Sequence, residues 1–440
     1  MQPRQTSSPL RPSACPGLLR IVQALDGGIC RIKLDGGSIS SVQAEVVANA
    51  SESFARGTID VTNRANLQIR GVGSEQAALI NTLLATGLGP RTAAGDDVRN
   101  VMLSPGAGID RQMLFDTRPL AGQILLTLQS QERFHDLSAK FAIQLHGGEA
   151  LAMLEHPHDL WLCAFERGSE LRLAFGFAGC PGDMPAGSVS LSNGHALVVA
   201  VLELFLDLAR PEQTRMRHLL TEHAIEDFLA RLARYVPIQA VEDWQHVAGA
   251  QTMHVGVHSQ ADSDFVYVGG VPPLGRLDPT MLRGAAQLAR AFGDASLRLT
   301  PWQSLLLPNV RRDDAMPVVR GLQRLGFLCE ADQALSRMIA CTGSNGCGKG
   351  LADTKADALQ LATLLQRNGH VLEVHLSGCS RSCAAAHVSP VTLLAVTPGH
   401  YDLYFRDAAQ PGFGALHARN LTIEAAATLL VARSRSPLDA

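Results

Sequence analysis

A chain of 440 residues, 46% hydrophobic and 18% charged, is long enough for two or more domains and a sizeable core. Its 38 basic and 41 acidic side chains leave a formal charge of -3, which excludes the strong field that nucleic acid or an anionic membrane surface requires. No apolar run reads as long enough to span a bilayer, and nine cysteines behind an N-terminus without a signal core predict a reducing, cytoplasmic setting.

In chain order, residues 1–14 read as a loose tail. A helix capped by Ser40 is predicted to Phe54, followed by strands Thr58 to Val61 and Leu67 to Arg70 around a Thr-led loop. Strands are predicted at Gln123 to Leu128, Phe141 to Leu145, Leu171 to Phe177 and Gly187 to Leu191. Helices follow at His195 to Ala209, with Val198, Leu202, Phe205 and Leu208 on one face, and at Glu222 to Tyr235. The early pattern then returns: residues 39–72 lie on residues 277–310 at an offset of 238, with Phe54 on Phe292, Ile59 on Leu297 and Thr62 on Thr300. The second copy has a helix from Asp278 to Phe292 and strands Ser296 to Leu299 and Leu305 to Leu307. Two copies imply duplication, with halves related by a pseudo-twofold. Beyond them come a helix Leu351 to Arg367, a strand Val371 to Leu376, a hairpin of Val391 to Val396 with Tyr401 to Phe405, and a helix Thr422 to Arg433. The class is α+β. The expected domains are half-repeats at 15–75 and 253–315, an α/β domain at 90–245 and a cysteine-bearing domain at 330–436.

Four cysteines are grouped as Cys341-Thr-Gly-Ser-Asn-Gly-Cys347 and Ser377-Gly-Cys379-Ser-Arg-Ser-Cys383. In a reducing compartment such spacing favours metal ligands over disulfides. The five-residue gap suits a zinc knuckle poorly, whereas a 4Fe-4S cluster needs one sulfur per iron and tolerates wider loops. Zinc, or small buried thiols in turns, are the competing readings. Gly343 to Gly350 also approaches a phosphate-binding loop. However, Gly350 stands where a magnesium-binding Ser or Thr is required, and Ser336 to Ala340 reads as a poor buried strand, so an NTPase is rejected. Gly87-Leu-Gly89 lacks the third glycine of a dinucleotide fingerprint, which leaves any NADH oxidation to a partner reductase.

The cysteine quartet, the doubled ferredoxin-like half-repeat, Thr62-Asn-Arg64-Ala-Asn-Leu-Gln68, Asp97-Val-Arg99-Asn100-Val and Ser138-Ala-Lys140-Phe-Ala-Ile143 together resemble the nitrite/sulfite reductase superfamily. The likeness runs from Cys15 to the last helix. It implies duplicated ferredoxin-like half-repeats plus two α/β domains of the reductase type. Within the superfamily, the short length, Cys15-Pro-Gly-Leu-Leu-Arg20, Asp26-Gly-Gly28 and Asn63-Arg-Ala-Asn-Leu-Gln-Ile-Arg-Gly71 resemble the precorrin-3B synthases of aerobic cobalamin synthesis. Those are iron–sulfur monooxygenases. The resemblance implies that precorrin-3A is hydroxylated at C20 by dioxygen, with closure of a γ-lactone. It further implies Cys341, Cys347, Cys379 and Cys383 as cluster ligands, with Cys383 nearest the tetrapyrrole. Arg64, Arg99 and Lys140 match basic positions lining the tetrapyrrole and anion pocket, and Arg70 is expected to join them. Guanidinium forks suit a macrocycle rich in carboxylates.

Two departures from the reductase pattern stand out. Ala142 replaces the second lysine expected two places after Lys140, and Trp302 stands in the second repeat where the first has Arg64. Fewer cations weaken oxyanion binding and favour the synthase, although a tryptophan is more often core filler. Oxygen chemistry needs a redox centre; an external donor or an NADH-dependent reductase feeds the cluster. A second, non-haem iron is the other possibility, for which His146, His156, His158 and His375 qualify only by residue type. No catalytic residue is assigned. The alternatives are a siroheme-dependent nitrite or sulfite reductase, and a non-enzymatic iron–sulfur or tetrapyrrole carrier.

Overall fold

The computed structural model describes residues 15–244 and 251–434. The expected tail at 1–14, residue 245 and residues 435–436 lie outside the described residues. The chain divides into two compact units, Met1–Val22 with Gly87–Gly249 and Gln23–Thr86 with Ala250–Ala440.

In the second unit the duplication is visible bond by bond. The helix Ser41–Phe54 opens on a capping box, in which the Ser40 hydroxyl accepts from the Gln43 N–H (3.2 Å) and the Gln43 side chain accepts from the Ser40 N–H (3.1 Å). Its counterpart Pro279–Phe292 opens on Asp278, whose carboxylate accepts from the Met281 N–H (2.8 Å), with Pro279 in the first turn. Each helix covers a five-stranded sheet. One sheet runs Val22–Ala24, Gly27–Ile32, Leu67–Val72, Thr58–Val61 and Arg276–Leu277; the other runs Gly256–Ser259, Phe265–Gly270, Leu305–Arg311, Ser296–Leu299 and Ser38–Ser40. Each repeat therefore lends its short edge strand to the sheet of the other. Ile39 faces Leu297, and Leu277 faces Ile59, which is the same contact twice at the 238-residue offset.

The rest of this unit is an α/β layer. Met338–Ala340, Val374–Ser377 and Val391–Thr397 run parallel, and His400–Phe405 and Ala415–Leu421 continue antiparallel. The helices Thr354–Arg367 and Ile423–Ser434 bury Leu361, Leu365, Ala426 and Leu430 against Leu376, Leu393 and Leu403. The expectation of a poor strand at 336–340 is corrected: Met338–Ala340 is short but wholly buried. The helix predicted from Leu351 begins at Thr354, because Asp353 caps it by accepting from the Ala356 N–H (3.3 Å).

The first unit repeats this wiring. Val101–Leu103, Ile143–His146 and His158–Arg167 are parallel, and Glu170–Gly179 and Gly187–Ser190 follow antiparallel. The α+β architecture with two α/β layers and ferredoxin-like halves thus stands. Two local expectations do not. Gln123 to Leu128 lies inside the helix Arg118–Ser130, where Leu120, Ala121, Ile124, Leu125 and Leu128 recur at helical spacing and are all buried. The ten-residue strand His158–Arg167 was unforeseen because both faces are covered: Leu160 and Leu162 face the helices, while Trp161, Cys163 and Phe165 pack with Trp244. A third correction concerns hydropathy. Leu191–Leu208 is long and apolar enough, by length and composition, to cross a membrane. Its Leu197, Val201, Leu202 and Phe205 are instead buried in the core of this unit.

Candidate iron–sulfur site

Parallel pairing brings the cysteines together. Ala340 is aligned with Leu376, so Cys341 and the Gly378-Cys379 turn emerge side by side from the C-terminal ends of adjacent strands, the edge where open α/β sheets place ligands. Cys341 donates its N–H to the Leu376 carbonyl (3.3 Å), and its Sγ accepts from the Gly378 N–H (3.2 Å). The Thr354 hydroxyl lies 3.5 Å from the same sulfur and donates to the Cys341 carbonyl (2.8 Å). Burial raises the Cys383 thiol, and Cys379, Cys341 and Cys347 raise it further, as expected of four sulfurs gathered together. All nine cysteines are free thiols. Among the described residues no three His, Cys, Asp or Glu side chains converge closely enough for a single metal ion. The five-residue gap between Cys341 and Cys347 suits a zinc knuckle poorly, and a polynuclear group with one sulfur per iron tolerates it.

Glycines make room for the loops. Gly343 has φ +66°, and a Cβ there would lie 2.6 Å from the Ala352 carbonyl oxygen. On Gly350 it would lie 2.5 Å from the Gly343 backbone, and on Gly378 it would lie 3.3 Å from the Cys341 sulfur.

The half-repeats hold the cysteine loops in register. Their two equivalent loops, Thr62–Asn66 and Thr300–Ser304, share one hydrogen-bond pattern: Ala65 N–H to Thr62 O and Gln303 N–H to Thr300 O, both 3.0 Å, with Ala65 and Gln303 at φ +53° and +61°. Asn63 donates to the Cys383 carbonyl (3.5 Å) and Gln303 to the Ala384 carbonyl (3.0 Å). The loop before Cys347 is held by Arg70, which donates to the Gly346 carbonyl (3.3 Å) while bound bidentately to Asp26 (2.7 and 2.9 Å). Arg70 is only 5% exposed. Its fork is occupied within the fold, which makes it a positioning residue for the cluster loop rather than a group offered to substrate carboxylates. The loop before Cys341 is held by Lys355, whose Nζ donates to the carbonyls of Leu274 (2.7 Å) and Ala340 (3.2 Å). Sequence reasoning missed Lys355, Asp60 and Arg276. Only the Asp26 motif hinted at the group they form.

Of the other expected binding residues, Arg64 is half-buried in its loop, where its N–H donates to the Thr62 hydroxyl (3.3 Å). In the first unit, Arg99 is buried and donates to the Leu88 carbonyl (3.4 Å), and Lys140 is exposed. Asn100 joins their two motifs by sharing its amide protons among the carbonyls of Asp97 (2.8 Å), Ala139 (3.1 Å) and Phe141 (3.1 Å). Arg20 pairs with Asp97, which accounts for the conjunction of the Cys15–Arg20 run with that motif. Ala142 is 4% exposed and donates its N–H to Asp159 (2.9 Å), itself held by Arg215 (2.8 Å). Trp302 stacks on the His254 ring (centroids 5.2 Å apart, planes at 4°), so it packs as part of the fold. Burial lowers His254 to about 3 and His375 to about 3. His146 contacts Glu149 (2.8 Å). His158 meets the His156 carbonyl (2.8 Å). The second iron thus finds no ligand set among the described residues.

This combination of doubled half-repeats, doubled α/β layers and one cysteine quartet defines an iron–sulfur oxidoreductase fold. The nitrite/sulfite reductase ferredoxin-like half-domain model matches residues 22–86 and 258–325, and the nitrite and sulphite reductase 4Fe-4S domain model matches residues 94–239. The ferredoxin–nitrite reductase of Zea mays chloroplasts is 31% identical over 82% of this chain and 68% of its own length. That of Synechococcus elongatus is 30% identical over 83% and 76%, and sulfite reductase [ferredoxin] 2 of Mycolicibacterium paratuberculosis is 28% identical over 82% and 69%. The chain spans about two thirds of the length of the plant relatives. The structure of the NirA protein of Mycobacterium tuberculosis superposes with a TM-score of 0.79 over 94% of this chain and 82% of that one, at 21% identity. The chain belongs to the nitrite/sulfite reductase family.

Proposed function

We propose that the protein is a siroheme-dependent reductase of nitrite or sulfite that takes its electrons from ferredoxin. Its relatives support this reading: the enzymes named above are ferredoxin-linked nitrite and sulfite reductases matching about four fifths of the chain. The observation that carries it is the gathering of Cys341, Cys347, Cys379 and Cys383 by the loops at one strand edge. A 4Fe-4S cluster there supplies one-electron transfer when bound. The chain's own residues hold the loops: Gly378 and Thr354 bond the Cys341 sulfur or its backbone, and Asn63, Gln303, Arg70 and Lys355 fix the flanking carbonyls. Arg64 in the cysteine-bearing unit, and Arg99 and Lys140 in the other unit, are each proposed to bind anionic or carboxylate groups. A cytoplasmic setting belongs to the same proposal and is supported by nine free thiols.

A second reading, precorrin-3B synthase acting on precorrin-3A with dioxygen, is favoured by one specific feature. Ala142 and Trp302 are buried packing residues where cations are expected, which leaves less charge for a small oxyanion. Anaerobically purified protein separates the two. The reductase reading expects strong siroheme bands, extractable pigment and nitrite or sulfite consumption with reduced ferredoxin. Protein with four iron and four sulfide, no siroheme, and conversion of precorrin-3A under air but not argon would overturn it in favour of the synthase.

A further inference from the structure

Against the cysteine loops lies a group of five charged side chains, two of which hold the loops but whose charge the proposed reaction does not use. Arg70 is bidentate to Asp26 and lies 3.6 Å from Asp60, and Arg276 reaches Asp60 at 2.9 Å. Lys355 is coupled electrostatically to Asp60, Arg276, Arg70 and Cys341. Burial pulls its ammonium down to about 8, against the attraction of Asp60. Three cations therefore face two carboxylates; Arg70 and Asp60 are buried, whereas Arg276 is 36% exposed at the rim of the group. Asp353 and Asp357, which flank Lys355 in sequence, are engaged elsewhere, Asp353 in capping its helix and Asp357 with Tyr401.

Buried charge that is not balanced is costly unless an anion lies close by. Here the cations do not point into empty protein. Arg70 grips the carbonyl of Gly346, the residue before Cys347, and Lys355 grips the carbonyl of Ala340, the residue before Cys341. Neutral donors would serve equally well to hold two carbonyls; the surplus charge has another use. We propose that the Arg70–Arg276–Lys355 group, paired with Asp26 and Asp60, raises the reduction potential of the four-cysteine cluster. This rests on the cluster reading given above. The reduced cluster carries one more negative charge than the oxidised cluster, so a fixed positive charge at low local dielectric stabilises it selectively. Arginine keeps that charge at every working pH. Hydrogen bonds to the Cys341 sulfur act in the same direction.

The test is a redox titration of the anaerobically purified full-length protein, followed by EPR, with iron and sulfide analysis and circular dichroism on each sample. Lys355→Met removes a positive charge, and Asp60→Asn removes a negative one. The expected result is opposite shifts: the reduction equilibrium moves about tenfold toward the oxidised cluster in Lys355→Met, roughly 59 mV for one electron, and about as far the other way in Asp60→Asn. Fully loaded, folded variants whose potentials match the unmodified protein, or move in the same direction, overturn the proposal and leave the cluster reading standing. An unmodified protein without iron and sulfide overturns both.

Discussion

At Gly343 a single hydrogen atom decides whether the first cysteine loop closes. The residue sits at φ +66°, and a methyl group there would press on the Ala352 carbonyl and on Thr354, whose hydroxyl donates to Cys341. These neighbours are the Ala352 carbonyl and the N–H and hydroxyl of Thr354, the first residue of its helix, and they have little room to yield. Gly343→Ala is expected to lower cluster occupancy severalfold, read as iron and sulfide per chain, and to cost about 1–3 kcal/mol of stability in chemical denaturation. Retention of full iron by this variant would show that the loop closes by another route. The cysteines and their glycines were legible in the sequence, because spacing and residue type alone carry that chemistry. Arg70 was legible only as a basic residue. Its bidentate partner Asp26 lies 44 positions away and in a different strand region, a pairing no local pattern reveals.

At the scale of elements, local patterns succeeded where a capping residue or the repeat spacing marks the element and failed where neither does. The strands Thr58–Val61 and Ser296–Leu299 and the two capped helices follow from alternation, capping residues and repeat spacing. Gln123 to Leu128 deceived because six residues are too few to distinguish a buried strand from about a turn and a half of helix. Asn100 shows what motif resemblance conveys without its reason. Its side chain, buttressing three carbonyls from two segments, explains why Asp97–Asn100 and Ser138–Ile143 occur together. Asn100→Ala leaves those carbonyls without their shared donor and is expected to cost about 1–3 kcal/mol, measured as a lower urea midpoint at unchanged slope. A change below a few tenths would mean that water replaces the amide without loss.

For the molecule as a whole, acid is the expected weakness of the cysteine-bearing unit. His254 and His375 both belong to it, and burial lowers each to about 3. Since the unfolded chain takes up these protons near pH 6.5, the stability they permit is present above that pH and lost as pH falls toward 3. Each contributes up to about 1.4 kcal/mol per pH unit in that window. Melting temperatures between pH 7 and pH 5 should therefore fall less steeply in His254→Gln than in the unmodified protein; equal slopes would show that His254 does not titrate with unfolding.

The exchanged edge strands impose an order on biogenesis. A ribosome finishes Ser38–Ser40 and Thr58–Val61 long before it makes Arg276–Leu277 and Ser296–Leu299, the strands on which they pair. Until then the nascent first half exposes an open sheet margin, the template for unwanted association that folded proteins usually cover. The intervening unit, residues 87–249, is complete by that stage and free to fold without waiting. The first half-repeat must be kept from foreign partners until its twin emerges, so crowding or slow translation past residue 250 is where aggregation would begin.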